Sequence, residues 1–567
     1  MDGIRPGRHG ALTPLLAGSV IAITSCAPHE TADLILTNAN VITVDEALPR
    51  AEAVAIKGNR ILAIGARQAV EPHAGAETEI IDLDGATVVP GLIDAHMHFP
   101  RLGKRTKQLF LDETRSPTEA IAVVKEKIAS TTAGEWVTGQ GWHTVMWGMS
   151  GFPDNSELDA ASPENPVYLV GMASHAAWVN DQALEIAGIT AETPDPPGGE
   201  IVRSNRGKPT GVLRETAMDL VSRHLPEETR ASRKADIELS ITTALAMGLT
   251  EVHDAGVGYE EIDIYKELLE EGKLDIRLNV MFGIPDAGEV LDRYIANPPE
   301  VGLGEGRLTL RSLKIFADGA LGARGAALLE PYADSPEEIG LLQADENELY
   351  EVTRKAMEAG FQVAAHAIGD RANRIVLDAF ERAQKERPAD RPRHRIEHAQ
   401  VIAPEDIPRF AELGVIPSMQ PIHATMDMGF AEARVGPGRI RGAYAWRSLV
   451  DSGALIVASA DTPAFPVKYS NPLWGYHAAV TRQDASGNPP EGWYPSQTLN
   501  RLEALKIYTI NAAYAAFEED DKGTLAPGKL ADFTVLSKDI LTIPAPEILE
   551  TEVLMTLVDG RIVWRKP

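Results

Sequence analysis

Residues 87–98 read Thr-Val-Val-Pro-Gly-Leu-Ile-Asp-Ala-His-Met-His, and the fold follows from this stretch. Thr87–Ala95 is an apolar run of strand length, as expected of a strand buried on both faces. Side chains alternate along a strand, so His96 and His98 share one face. Two imidazoles at the end of a buried strand can chelate one metal ion. A barrel of parallel strands collects such residues on its working face. Seven further strand signals would complete that barrel.

Those signals are present at Leu249–His253, Ile276–Phe282, Leu308–Phe316, Gln362–Ala365, Arg395–Glu397, Val415–Ser418 and Leu455–Ser459. Helical patterns such as 232–247 and 346–359 separate most of them. The fold class is therefore α/β, a (β/α)8 TIM barrel over residues 90–522. Between the first and second strands lies an insertion, about 100–235, with Trp136, Trp142, Trp147, Trp178 and the turn-rich TPDPPGG at 193–199. Most of these aromatics read as the insertion's own core, and one or two as a substrate wall, with Trp142 the candidate.

Outside the barrel, 33–89 alternates apolar residues with Asn-Ala-Asn, Lys-Gly-Asn and Asp-Gly turns. Residues 523–567 have the same style, and Val558-Asp559-Gly560-Arg561-Ile562 is a hairpin signal. Both ends together predict one small β-sandwich domain, with two independent hairpin extensions as the alternative.

The chain has 567 residues and a formal net charge of −28, which repels phosphate backbones, so no nucleic-acid partner is expected. The only cysteine, Cys26, excludes a disulfide framework and a thiolate metal site. It follows Arg5, Arg8, a short apolar stretch and Ile23-Thr24-Ser25, the pattern of a lipoprotein signal peptide over 1–26. The expectation is export to the periplasm with a lipid anchor at Cys26 as the sole membrane attachment. The other reading is a mis-assigned start that adds a meaningless leader.

Further chemistry gathers at strand ends. Lys314 closes an apolar strand; burial lowers an amine's pKa and makes it reactive, so it could capture carbon dioxide as a carbamate that bridges two ions. An ion pair with Asp318, or an amine reaching solvent, is the plainer alternative. His366 and His398 end the fifth and sixth strands, and Asp461 the eighth. Nitrogen and oxygen donors of this kind suit Zn²⁺ or a similar divalent ion. A helix-capping role is the alternative for Asp461. His423, Arg324 and, more weakly, His175 are candidate substrate contacts, with loop packing or a surface ion pair as the alternatives.

These residues and the segments PGLIDAHMHF, KIFADGALGARGAAL, HAIGDRAN, RIEHAQ, GVIPSMQP and SADTP resemble the amidohydrolase superfamily. The resemblance runs from about 33 to 567, and its branch is that of N-substituted formamide deformylases. It implies one ion on His96, His98 and Asp461, a second on His366 and His398, and a carbamate on Lys314 between them. A single-ion variant would leave Lys314 structural and His398 free to act as an acid. The family often forms homodimers. His143 departs from the pattern, which implies an acidic or amide residue after Trp142.

The expected activity is hydrolysis of a non-peptide carbon–nitrogen bond, as in an N-substituted formamide or N-acyl compound. A divalent ion lowers the pKa of a bound water to about 7, so hydroxide is available at neutral pH. Asp461 would act as general base and then acid. A lactone or phosphoester hydrolase on the same site, and a non-catalytic lipid-anchored binding protein, are the competing functions.

Overall fold

The run 87–98 does not form one strand. Thr87–Pro90 lies in one sheet and Leu92–Met97 in another. Gly91 makes the transition: a Cβ there would sit 2.1 Å from Thr250 Oγ1, so only glycine lets the chain pass this close. The predicted barrel strand Thr87–Ala95 is corrected accordingly. Its apolar character is continuous because both sheets bury it, which hides the boundary.

The structure is a computed structural model that describes residues 30–144, 146–171, 175–388, 393–462 and 466–567. Cys26 and the predicted signal peptide lie outside the described residues.

Eight parallel strands form the barrel: β1 (Leu92–Met97), β2 (Leu249–Val257), β3 (Arg277–Gly283), β4 (Leu308–Phe316), β5 (Gln362–Ala367), β6 (Arg395–His398), β7 (Ile416–Met419) and β8 (Val457–Ala458). They pair in chain order, β1 to β2 through β7 to β8. The seam between β8 and β1 is tied by Asp461 N–H to His96 O (3.1 Å) and His98 N–H to Thr462 O (2.9 Å). Asp94 adds to it, accepting His96 N–H on one carboxylate oxygen (3.0 Å) and Ala460 N–H on the other (2.9 Å).

Helices return the chain between strands. Asp345 caps Glu346–Ala359 by accepting Glu348 N–H at 2.9 Å, and Gly360 ends it with φ +82°. The result is a (β/α)8 barrel with an additional β domain. That domain's two sheets draw on both chain ends: one holds Leu34–Thr37, Ala53–Lys57, Arg60–Gly65 and Glu79–Asp82, and the other runs from Arg561–Arg565 through Thr87–Pro90 to Arg50–Ala51. They pack face to face through Leu36, Val54, Ile56, Val88, Phe533 and Leu557. Asp559 and Gly560, with φ of +53° and +71°, turn the hairpin Val553–Val558 to Arg561–Arg565.

The insertion after β1 has its own sheet, from Leu109–Phe110 to Gly199–Arg203. Trp142, Trp147 and Trp178 pack together beneath it at ring separations of 5.9–6.4 Å. Trp136 packs against the insertion's other cluster.

Candidate metal centre

The site lies at the C-terminal mouth of the barrel, where strands end and side chains turn to a common axis. His96, His98, Lys314, His366, His398, His423 and Asp461 all line one cavity of about 350 Å³. Two residues there carry strained backbones: His398 with φ +77° and Asp461 with φ +51°. Non-glycine residues seldom adopt this conformation, and such strain collects where function fixes a side chain's aim.

Three of the imidazoles are held through Nδ1. His96 Nδ1 donates to Glu397 Oε2 at 2.5 Å, and His98 Nδ1 to Ala255 O at 2.8 Å. His398 Nδ1 donates to Gln420 Oε1 at 2.8 Å, and Gln420 is itself held by Ser418 O and Ser459 Oγ. With Nδ1 occupied as a donor, Nε2 keeps its lone pair and faces the axis. The Nε2 atoms of His96 and His366 are buried without hydrogen-bond partners, and His366 Nε2 has Asp318 Oδ1 3.5 Å away.

Asp461 is the hub. Its Oδ1 lies 3.6 Å from His96 Nε2 and 3.7 Å from His98 Nε2, and its Oδ2 lies 3.8 Å from His423 Nε2. Those gaps are too long for hydrogen bonds. They fit an ion between the atoms, since ligands at 2.0–2.2 Å in tetrahedral array stand about 3.4 Å apart. Two groups have donor atoms mutually within 4.8 Å: His96, His98 and Asp461, and His398, His423 and Asp461.

The second group differs from the one the resemblance implied, with His423 in the place expected for His366. His366 stands alongside, its ring 4.5 Å from that of His398. His423 begins in a loop on the sequence reading, but it falls on the short helix Pro421–Asp427, which carries it over the site.

Burial makes the donors neutral. It lowers His96 to about 4 with help from Lys314, lowers His98 and His423 to about 3, and drives His366 and His398 well below the usual imidazole value. Asp461 is pushed up to about 7 by burial, against the pull of Lys314. Lys314 is pulled down to about 8 by burial, although Glu397 and Asp461 favour its charge.

Lys314 is 1% exposed, and its Nζ has no hydrogen-bond partner. Asp318, the partner in the plainer reading, is engaged elsewhere: it accepts the N–H groups of Ile368, Gly369 and Ala327 at 2.8–2.9 Å.

The remaining candidates fall away from this cavity. Trp142 is buried in the insertion, with its indole N–H donated to Leu169 O at 2.8 Å. His175 is exposed and paired with Glu215 Oε2 at 3.1 Å. Arg324 turns to Asp334 at 3.0 Å. None of the three is on the wall of this cavity. The wall is instead built by Phe316, Leu321, Ile368 and Phe430, with Gln400 and Asp427 on its polar side.

Comparison with known proteins agrees with this geometry. The family model described as "Amidohydrolase family" matches residues 79–564. The chain belongs to the amidohydrolase family. Within it, the chain is 35% identical to Protein LONG AFTER FAR-RED 3 of Arabidopsis thaliana, covering 94% of this chain and 92% of that one. It is 31% identical to the N-substituted formamide deformylase of Arthrobacter pascens, over 94% and 98% of the two chains. The crystal structure of an uncharacterized metal-dependent hydrolase from Pyrococcus furiosus superposes with a TM-score of 0.70 at 28% identity, covering 90% of this chain and 100% of that one. For an amidohydrolase, the orphaned Nε2 atoms, the neutral imidazoles and the spacing around Asp461 are a donor set that fits divalent ions. Glu397, Gln420 and Asp427 were not singled out from sequence. Glu397 alone left a trace there, two residues from Arg395 on one strand face.

Proposed function

We propose that this amidohydrolase cleaves a non-peptide carbon–nitrogen bond, with an N-substituted formamide or N-acyl amine as substrate class. The observation that carries the reading is the meeting of His96, His98, Lys314, His366, His398 and Asp461 in one cavity. Zn²⁺ suits the imidazole and carboxylate donors. When bound, the ion supplies an acidified water and polarises the scissile carbonyl. Asp461 takes a proton on its carboxylate and returns it to the departing nitrogen. Asp461 sits between the imidazole donors at the end of its strand, within reach of both the ion site and a bound substrate. If His366 rather than His423 completes the second ion's ligands, neutral His423, beside Asp461 at the cavity wall, would donate a hydrogen bond to the substrate carbonyl; otherwise it is a ligand of that ion.

Lys314 is the residue proposed to carry the carbamate. Its neutral amine attacks carbon dioxide, one N–C bond forms as one C=O π bond opens, an N–H proton passes to water, and the carbamate shares one negative charge over two oxygens. An orphaned buried amine among the donors supports this role. The apolar wall of Phe316, Leu321, Ile368 and Phe430 supports a substrate with a hydrophobic substituent, as does the likeness to the formamide deformylase.

Metal analysis followed by a panel of N-substituted formamides, N-acyl amino acids, lactones and phosphoesters tests the reading. The expected result is stoichiometric metal and turnover confined to the amides. Turnover of esters with none of amides would reject it.

A further inference from the structure

The interior of a (β/α)8 barrel is ordinarily filled with branched aliphatic side chains. Here the space below His96 is filled by a column of charged and polar groups. His96 Nδ1 donates to Glu397 Oε2, and Arg395 Nε donates to Glu397 Oε1 at 2.7 Å. Arg395 Nη1 donates to His253 Nδ1 at 2.9 Å. His253 Nε2 donates to Glu251 Oε1 at 3.1 Å, and Glu251 Oε2 is bonded by Lys522. Every member is buried, from 0% to 5% exposed.

The donor order in this column has one solution. Arginine cannot give up its proton in a protein, so His253 Nδ1 must accept. His253 Nε2 must then carry its hydrogen and donate to Glu251. At the other end, Arg395 also bonds Glu397 Oε2 (3.1 Å) and Ser418 Oγ (3.0 Å), so Glu397 remains an ionised acceptor. His96 then has its hydrogen on Nδ1 and its lone pair on Nε2, the atom that faces Asp461. The charges alternate along the column, Glu397 with Arg395 and Glu251 with Lys522, and Lys522 is paired with Glu518 as well.

Burying such pairs brings little or no stability, and apolar residues of equal volume often do as well or better. The column therefore needs a reason other than folding. We propose that Glu397 is a positioning residue of the metal centre, held by the Arg395–His253–Glu251–Lys522 column so that His96 presents Nε2 to the ion in a fixed orientation. The inference rests on the metal-dependent reading above and extends it to a residue that touches neither substrate nor ion.

The test compares wild type with Glu397→Gln and Glu397→Asp. Apo proteins are checked for folding by circular dichroism. Zn²⁺ affinity is then measured by competition with a chelator, and Co²⁺ absorption reports the geometry at the ion. The Gln variant should bind Zn²⁺ about 10–100-fold more weakly, the range seen when a partner of a ligating histidine is lost. Its Co²⁺ spectrum should shift, and Asp should recover part of both. Should the Gln variant fail to fold, the double variant Arg395→Met/Glu397→Leu removes the pair without leaving a lone buried charge. It too should show the weakened affinity.

A folded variant with wild-type Zn²⁺ affinity and an unchanged Co²⁺ spectrum would overturn this inference and leave the functional reading intact. Wild-type protein that takes up no ion would overturn both.

Discussion

Asp461 and Lys314 carry the sharpest chemical claims at the scale of single residues. Replacing Asp461 by Asn keeps the side chain's volume and removes its proton exchange. Turnover should fall by about 10²–10⁴-fold, while His96 and His98 still retain part of the metal. Steady-state kinetics with metal analysis checks this, and unimpaired turnover would exclude Asp461 as the base. Lys314→Met tests the carbamate. The buried orphan amine contributes no hydrogen bond, so the thermal stability of the metal-free protein should hold or rise slightly. Metal content should drop from two ions to one, and wild-type reconstitution should quicken with added bicarbonate. A variant that still takes up two ions would show that Lys314 is structural. Positions such as these were legible in sequence because each ends an apolar run. Glu397 was not, because its partner His96 lies 301 residues away and only barrel closure brings them together.

Elements show where pattern reading succeeds and where it misleads. Seven of the strand signals fall within a few residues of β2–β8, since buried parallel strands read as continuous apolar runs. The same property concealed the break at Gly91, where a strand of the β domain passes directly into β1. Substituting Gly91 by Ala or Val would force a Cβ against Thr250 Oγ1 and Cγ2, at 2.1 and 2.6 Å. Overpacking of this kind costs about 1–3 kcal/mol. The melting temperature should fall in both variants and further in Val. A smaller residue at the other side, Thr250→Ala, should recover part of the loss in the double variant; equal melting temperatures for all would reject close packing at this point. The tryptophans of the insertion mostly form that segment's own core, as their pattern suggested: Trp142, Trp147 and Trp178 all pack in it, Trp142 included.

Across the whole molecule, the barrel and the β domain are joined by buried charge as well as by the chain. Arg277, on β3, bonds Asp532 at 2.7 and 3.0 Å and Asp559 at 2.5 Å, and both acids belong to the β domain's C-terminal segment. Burial alone would raise the Asp532 carboxyl, but the Arg277 charge and its hydrogen bonds outweigh it and hold the group below its ordinary value. A carboxyl lowered in the folded state contributes stability that is fully present above its unfolded pKa. That contribution is lost as pH falls through the lower folded value. Wild-type stability should therefore decline on acidification below about pH 4. Asp532→Asn leaves Arg277 with Asp559 as its one paired carboxylate and Gly306 O as a neutral acceptor, at a cost of about 3 kcal/mol near neutral pH. Its stability should also depend less on pH across that acid window, because the group that takes up the proton is gone. Denaturant unfolding from pH 3 to pH 7 measures both effects. Parallel curves for the two proteins would mean that the ion pair does not couple the domains. A shallower curve for the variant would show that protonation of Asp532 at this junction accounts for part of the acid loss of stability.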